Sequence, residues 1–427
     1  EPHLFFKNES PSVGRFAGRC PCFGYHPGMR RSWILGLLLA LDMPSASAAP
    51  PAQEPRQEFE SQAAKLEGKR DPKAWLKLAD FAEEHLLWDQ REEALRNSLR
   101  NDPENSVVHD RLNERLWDGK WLPIEEADTL EETAMEAKGL TFYGDKWVSA
   151  KTADTLRETD RKTVKWDCNL RLDSPPLTIY SDRPLALARR TARLFKRHEQ
   201  AYRRLYAPVW RLKPMMPPTK VYLFAKRKTY VEICSEETHT TVPDFAAGGY
   251  SDETGTLYVG MTREQAENGN QTPERMLLNA IHEMTHGLTH GLAGRHKGMP
   301  SWLEEGLADH LGFAIRSDWV LPGFVGIPEG NGRRRELRDA VEGLTPEVLL
   351  KMDNSAFYGN SGKSYALAWA WVHFLYHGEG GKHAEGFRRF LANCPSRSSI
   401  ADFEKTVGKI SELEPAFKGY CEQALLK

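Results

Sequence analysis

Residues 272–291 read TPERMLLNAIHEMTHGLTHG, a helix that carries its own start and stop signals. Thr272 can cap it, Pro273 suits the first turn, Glu274 complements the dipole, and Gly291 is its expected end. His282 and His286 stand four residues apart, so they share one face and both imidazoles can reach a single ion. Glu283 lies one helical step round, placed to touch a water held by such an ion rather than the ion itself. Zinc lowers the pKa of that water to about 7, and a carboxylate beside it can take the proton and pass it to a leaving amine. The pentapeptide alone also fits two histidines that are solvated or hydrogen-bonded in a core.

Residues 300–309, PSWLEEGLAD, read as a second helix running past the first. Eighteen residues separate His286 from Glu305. Glu304 and Glu305 are neighbours whose side chains point about 100° apart, so both cannot serve one ion. Here the sequence resembles the gluzincin metallopeptidases, whose pattern is HExxH, eighteen residues, then a glutamate in a W-x-x-E-G-x-A context. Trp302, Gly306 and Ala308 stand where that context expects them. The resemblance implies that Glu305 joins His282 and His286 as the third ligand of a Zn2+ ion. It makes Glu283 the general base in the hydrolysis of peptide bonds. It also implies that Gly306 and Ala308 let the two helices approach, and that Asp309 orients a histidine ligand as in thermolysin-like relatives. A metzincin site needs a different spacing, because Thr289 stands where its glycine should be and Leu292 where its third histidine should be. His290 then reads as a cation at the helix C-terminus, with His296 following in a loop.

Gluzincin aminopeptidases place an oxyanion-stabilising tyrosine on a later helix. Residues 364–376, SYALAWAWVHFLY, form a strongly apolar helix with Tyr365 near its start. The resemblance makes Tyr365 the candidate, with Tyr358 and His373 in reserve; a packed aromatic of a core helix is the alternative. A looser likeness over residues 165–377 looks like the peptidase MA-like domains of exported bacterial proteins, some of which carry tetratricopeptide-like helices ahead of the catalytic part. It implies an α+β chain: a helical N-terminal region, then a thermolysin-like catalytic domain over 161–427 with a mixed β-sheet lobe, a helical lobe and zinc between them. In that fold an edge strand pairs with the extended substrate backbone, and residues 255–260 are the best candidate. No G-x-M-E-N sequence is present to grip a free amine, so exopeptidase action is unsupported and the endo/exo choice stays open.

Nearer the N-terminus, residues 177–180 and 220–224 read as strands and 186–206 as a long basic helix. From Asp71 to residue 160 the pattern is helical. Trp75, Leu78, Ala79 and Ala82 share a face, Leu95 and Leu99 continue a second helix, and Asp102-Pro103 breaks it. The spacing resembles one tetratricopeptide unit, which cannot bury its faces alone, so a short helical hairpin is expected. Asp118-Gly119-Lys120-Trp121-Leu122 is echoed by Gly144-Asp145-Lys146-Trp147-Val148, a turn with a Trp that plugs a neighbouring element. Residues 49–70 read as a flexible leader rich in Pro, Gln, Glu and Lys. Residues 29–48 read as a secretory signal: Arg30-Arg31, the apolar run 33–41, and Ala46-Ser47-Ala48 as the cleavage site. Residues 1–28 then belong to an over-extended start, and the run 33–41 is too short to span a bilayer.

The 427 residues allow two or three domains, and 40% hydrophobic with 28% charged residues is ordinary for a globular chain. A net charge of -2 gives no global reason to expect nucleic acid or an anionic membrane as partner. The basic set Arg189, Arg190, Arg193, Lys196 and Arg197 falls at helical spacings and reads as a solvated face. Cys168, Cys234, Cys394 and Cys421 allow three pairings, none with CxxC spacing, and whether any forms is open. The expected partner is a peptide or protein substrate outside the cytoplasm, with a further protein partner on the N-terminal helices. A catalytically silent scaffold and a zinc hydrolase of non-peptide amides share the same pattern.

Overall fold

A computed structural model describes residues 53–215, 219–269, 271–294, 298–316, 318–326 and 333–426. The expected signal at 29–48, the segment 1–28 and His296 lie outside the described residues. The architecture is α+β.

The chain begins with α1 (Gln53–Leu66), α2 (Pro72–Glu84), α3 (Trp88–Asn101) and α4 (Ser106–Arg111). Helices α2 and α3 form the expected hairpin, with Asp71 capping α2 through the Ala74 amide and Trp75, Leu78, Ala79 and Ala82 buried. The leader expected to be flexible is helical from Gln53 to Leu66. Its Phe59, Ala63 and Leu66 recur at helical spacing and join the cluster of Trp75, Leu78 and Leu95. That third helix covers a face the hairpin would otherwise expose.

Residues 71–160 are also less helical than their pattern suggests. The echoed Trp motifs are two β-hairpins, each followed by a helix: β1 (Glu114–Trp117), β2 (Lys120–Pro123) and α5 (Ile124–Glu136), then β3 (Leu140–Tyr143), β4 (Lys146–Ser149) and α6 (Ala150–Asp160). Two-residue turns join the strands, and Asp118, Gly119 and Gly144 adopt the positive φ that such turns need. Trp121 stacks on His109 with ring centroids 3.8 Å apart, while Trp147 meets Phe142 edge-on.

The sheet lobe comprises β5 (Leu170–Ser174), β6 (Leu177–Ser181), α7 (Leu185–Tyr206), β7 (Thr219–Leu223), α8 (Arg227–Thr238), β8 (Gly248–Ser251) and β9 (Thr256–Val259). Its strand order is β5-β6-β7-β9-β8, with β6–β7 and β7–β9 parallel and both outer pairs antiparallel. The strand expected at the edge, residues 255–260, is therefore interior: β9 is buried along its length and paired on both sides, and the glycine-rich β8 takes the edge. Alternation along the strands sends Ile179, Val221, Leu223, Leu257 and Val259 to one core and Tyr180, Tyr222, Phe224 and Tyr258 to the other.

After α9 (Arg263–Asn268) come α10 (Pro273–Leu288) and α11 (Ser301–Gly312), then the two-residue strands β10 (Ile315–Arg316) and β11 (Trp319–Val320). The helical lobe follows with α12 (Arg333–Gly343), α13 (Pro346–Lys351), α14 (Asn354–Gly359), α15 (Ser361–His377), α16 (Ala384–Asn393), α17 (Ile400–Thr406) and α18 (Ile410–Tyr420). Every residue of α11 is buried, because it is wedged between α10 and α15. Gly306 was expected to face α10. It faces α15 instead: a methyl there would lie 2.8 Å from the Ala368 carbonyl oxygen and 2.8 Å from Val372 Cγ2. The small residue toward α10 is Gly312, where a methyl would have ordinary contact with His282.

The basic face of α7 is not solvated except at Lys196. Arg190 and Arg193 each reach the fully buried Asp318 at 2.8 Å, and Arg193 also binds Asp128 at 2.7 Å. Arg189 binds Glu131, and Arg204 binds Glu83, so α7 is where the N-terminal region docks. Periodicity shows that the arginines share a face, and acidic partners distant in sequence cover it. No disulfide joins Cys168, Cys234, Cys394 or Cys421, all of which are buried. Among the described residues no helix is long and apolar enough to cross a membrane.

Gly306→Ala should cost about 1–3 kcal/mol of stability in denaturant unfolding, since the Ala368 backbone and the Val372 side chain resist the methyl. Gly359→Ala, with nothing within 4 Å of the new methyl, should be tolerated. Glu83 gives a pH test. Burial raises its carboxyl, but Arg91 and Arg204 overcome this and hold it at about 2 against an ordinary 4.5. A depressed pKa means the stabilisation is present above 4.5 and lost as pH falls toward 2. Glu83→Gln should therefore lose about 2 kcal/mol at pH near 7, after discounting for solvent screening, and the gap to wild type should close as the pH falls through that window.

Candidate metal centre

Helix α10 starts as its sequence directs, with Thr272 accepting from the Arg275 amide and Pro273 in the first turn. It ends later than Gly291. A wide π-helical turn over Thr289–Ala293 carries it to Gly294, whose φ of 61° supplies the left-handed stop. His290, expected as a cation at the helix C-terminus, lies within this turn and is buried, with its Nε2 3.5 Å from Glu304 and its ring edge-on to Tyr250.

His282 and His286 share the inner face of α10. His282 Nε2 and His286 Nε2 are 3.2 Å apart, and Glu305 Oε2 from α11 lies 3.2 Å and 3.4 Å from them. Ligands about 2.1 Å from a tetrahedral ion stand about 3.4 Å from one another, so the triangle already has the size of a metal site. Glu305 gives its other oxygen to the Tyr358 hydroxyl at 2.8 Å, which leaves Oε2 turned to the imidazoles. Glu304 points to the far side, toward His286 Nδ1 and His290. His282 Nδ1 lies 2.8 Å from Asp309 Oδ1. An N–H donated there leaves the lone pair on Nε2, facing the triangle. Arg333 Nη2 sits 3.2 Å from the other Asp309 oxygen and steadies the carboxylate.

The charges inside this buried site are strongly coupled. Burial opposes a positive His282, yet Asp309 and Glu305 push its pKa well above the ordinary value; Glu305 likewise raises His286 against burial. Burial alone would raise Glu305, but the two histidines hold it below the ordinary carboxylate range. The carboxylates that favour positive charge on these rings would equally stabilise a cation between them.

Glu283 stands outside the triangle. Burial raises its pKa, Glu305 and Asp309 add to the rise, and the two histidines oppose it. Its side chain packs against Gly248 of β8, where a methyl would lie 2.6 Å from Glu283 Cγ and 2.9 Å from Oε1. Only glycine leaves room for the carboxylate at that point. A cleft of about 600 Å³ opens here, lined by Gly248, His282, Glu283, Arg333, Tyr358 and Tyr365.

Of the residues expected here, His282, Glu283, His286, Glu305 and Asp309 come together. Tyr365 also reaches the cleft, its ring centroid 6.2 Å from that of His282 and 5.5 Å from the Arg333 guanidinium. Burial, aided by Glu305, raises its phenol well above the usual range and keeps it protonated. Tyr358 is engaged with Glu305, and His373 lies away from the cleft against Tyr420. Gly248 and Arg333 escaped the sequence reading. The Gly248-Gly249 doublet was a signal for close backbone approach, whereas Arg333 is one of three consecutive arginines with nothing to single it out. Neither protein-family models nor curated proteins give a match to this chain, so its function has to be argued from the site.

Asp309→Asn should weaken zinc binding by about 10–100-fold, because the ring of His282 loses its charged partner. Competition against a chelator measures it, and an unchanged affinity would contradict the orienting role.

Proposed function

We propose that this chain is a zinc-dependent peptidase of the gluzincin kind, with His282, His286 and Glu305 holding the ion and Glu283 acting as general base. The observation that carries the reading is the tetrahedral spacing of the three donor atoms, with a second carboxylate, Glu283, set beside them and lining the cleft. Zinc in such a site supplies an acidified water and a Lewis acid for a carbonyl oxygen. Glu283, raised by burial, is a carboxylate that can accept a proton and return it to a departing amine. The Tyr365 phenol is a neutral donor on the same cleft, suited to the negative charge that develops on a carbonyl oxygen. Asp309 fixes the ring of His282, and Arg333 fixes Asp309.

A peptide is the favoured substrate because the cleft borders a sheet edge. Residues 245–248, which lead into β8, line the cleft, and an extended chain laid there would run along the edge strand. The edge role that the resemblance assigned to residues 255–260 thus passes to β8. The reading retains export through the segment 29–48 as part of the proposal.

Glu283→Gln should retain zinc while hydrolysis of an unfolded protein or a quenched peptide library falls by about 10²–10⁴-fold. Full activity in that variant would remove Glu283 as the base. A zinc-loaded wild-type chain that cleaves nothing in the library would instead support the silent scaffold.

A further inference from the structure

A second convergence of histidines lies outside the cleft. His310 follows Asp309 on α11, and His373 and His377 stand four apart on α15, the spacing of His282 and His286. One nitrogen from each of the three rings lies within 4.8 Å of the other two. The ring centroids are 5.4 Å (His310–His373), 5.2 Å (His310–His377) and 4.7 Å (His373–His377) apart. Three imidazoles on one tetrahedral ion, with bonds of about 2.1 Å, have centroids about 5 Å apart. The His282–His286 pair stands at 4.9 Å.

Ordinary packing accounts poorly for this cluster. His310 and His373 are buried, at 1% and 2% exposure. Both ring nitrogens of His310 and the Nε2 atom of His377 find no hydrogen-bond partner among the described residues, while His373 meets the Tyr420 hydroxyl and the Gly323 backbone. Buried polar atoms are nearly always partnered, and three orphans in one spot call for a ligand. His373 Nδ1 lies 2.7 Å from the Tyr420 hydroxyl, and an N–H donated there leaves Nε2 as the metal-facing atom.

We propose that His310, His373 and His377 form a second metal site, for a first-row transition ion that prefers imidazole nitrogen, Zn2+ foremost. The all-nitrogen donor set disfavours Mg2+ and Ca2+, which take oxygen ligands. Its place gives it a structural task. Helix α11 carries Glu305 and Asp309, α15 carries Tyr365, and an ion between His310 and the His373/His377 pair ties these two helices together beyond their crossing at Gly306.

The test is zinc content and thermal stability of the full chain in three forms: wild type, His282→Ala/His286→Ala, and His310→Asn. Two zinc ions in wild type, one in each variant, and a rise in Tm when zinc is added to the double variant support the second site. One zinc in wild type and none in the double variant overturns it while leaving the peptidase reading intact. One zinc that survives in the double variant and is lost in His310→Asn supports the second site and contradicts the first. No zinc in any form overturns both. Should His310→Asn fail to fold, cobalt(II) titration of the double variant decides. Visible absorption typical of four-coordinate cobalt at one equivalent supports the site, and its absence overturns it.

Discussion

Glu305 is a carboxylate withdrawn almost wholly from water, at 2% exposure, and the cost of that withdrawal organises the middle of this protein. A buried anion persists only where opposite charge and hydrogen bonds surround it. His282 and His286 supply the first and Tyr358 the second. Bringing them together requires α11 to pass between α10 and α15, buried along its whole length. Gly306 permits one close approach and Gly312 the other. The sheet enters the same arrangement through Gly248, whose missing side chain is the space that Glu283 fills.

The N-terminal region is bound to this core by ion pairs on α7 and by Phe142 and Trp147, which pack against the main core. Helix α7 shows its apolar face to the sheet and α10, and its arginines to Asp128, Glu131, Asp318 and Glu83. Asp318, between β10 and β11, is fully buried and holds Arg190 and Arg193 at once within the core itself. Most members have more than one partner: Arg193 pairs with both Asp128 and Asp318, and Glu83 with Arg91, Arg111 and Arg204.

The candidate site was legible largely because its geometry is local. His282 and His286 are fixed relative to each other by one helix, and the eighteen-residue interval places Glu305 within a single helix-loop-helix passage. The hairpin of α2 and α3 was legible for the same reason. What stayed hidden depended on partners far away in sequence. The face of α1 made by Phe59, Ala63 and Leu66 is diluted by Gln, Glu and Arg, and its purpose is evident only beside Trp75 and Leu78. Strand β9 carries a short apolar run that fits an edge or a centre equally well, and only pairing with β7 and β8 settles which. The two Trp echoes carried Asp-Gly and Gly-Asp turns that specify hairpins, a signal outweighed by the helical sequence after each. Arg333 and the trio His310, His373 and His377 gain meaning only when α11, α12 and α15 are brought together.

The most direct measurement is anomalous diffraction at the zinc edge from crystals of the wild-type chain grown with zinc. The predicted result is a peak about 2.1 Å from His282 Nε2, His286 Nε2 and Glu305 Oε2, with Glu283 outside bonding distance. No peak between these three residues, or a peak bonded to Glu283 or Glu304 in place of Glu305, would contradict the account.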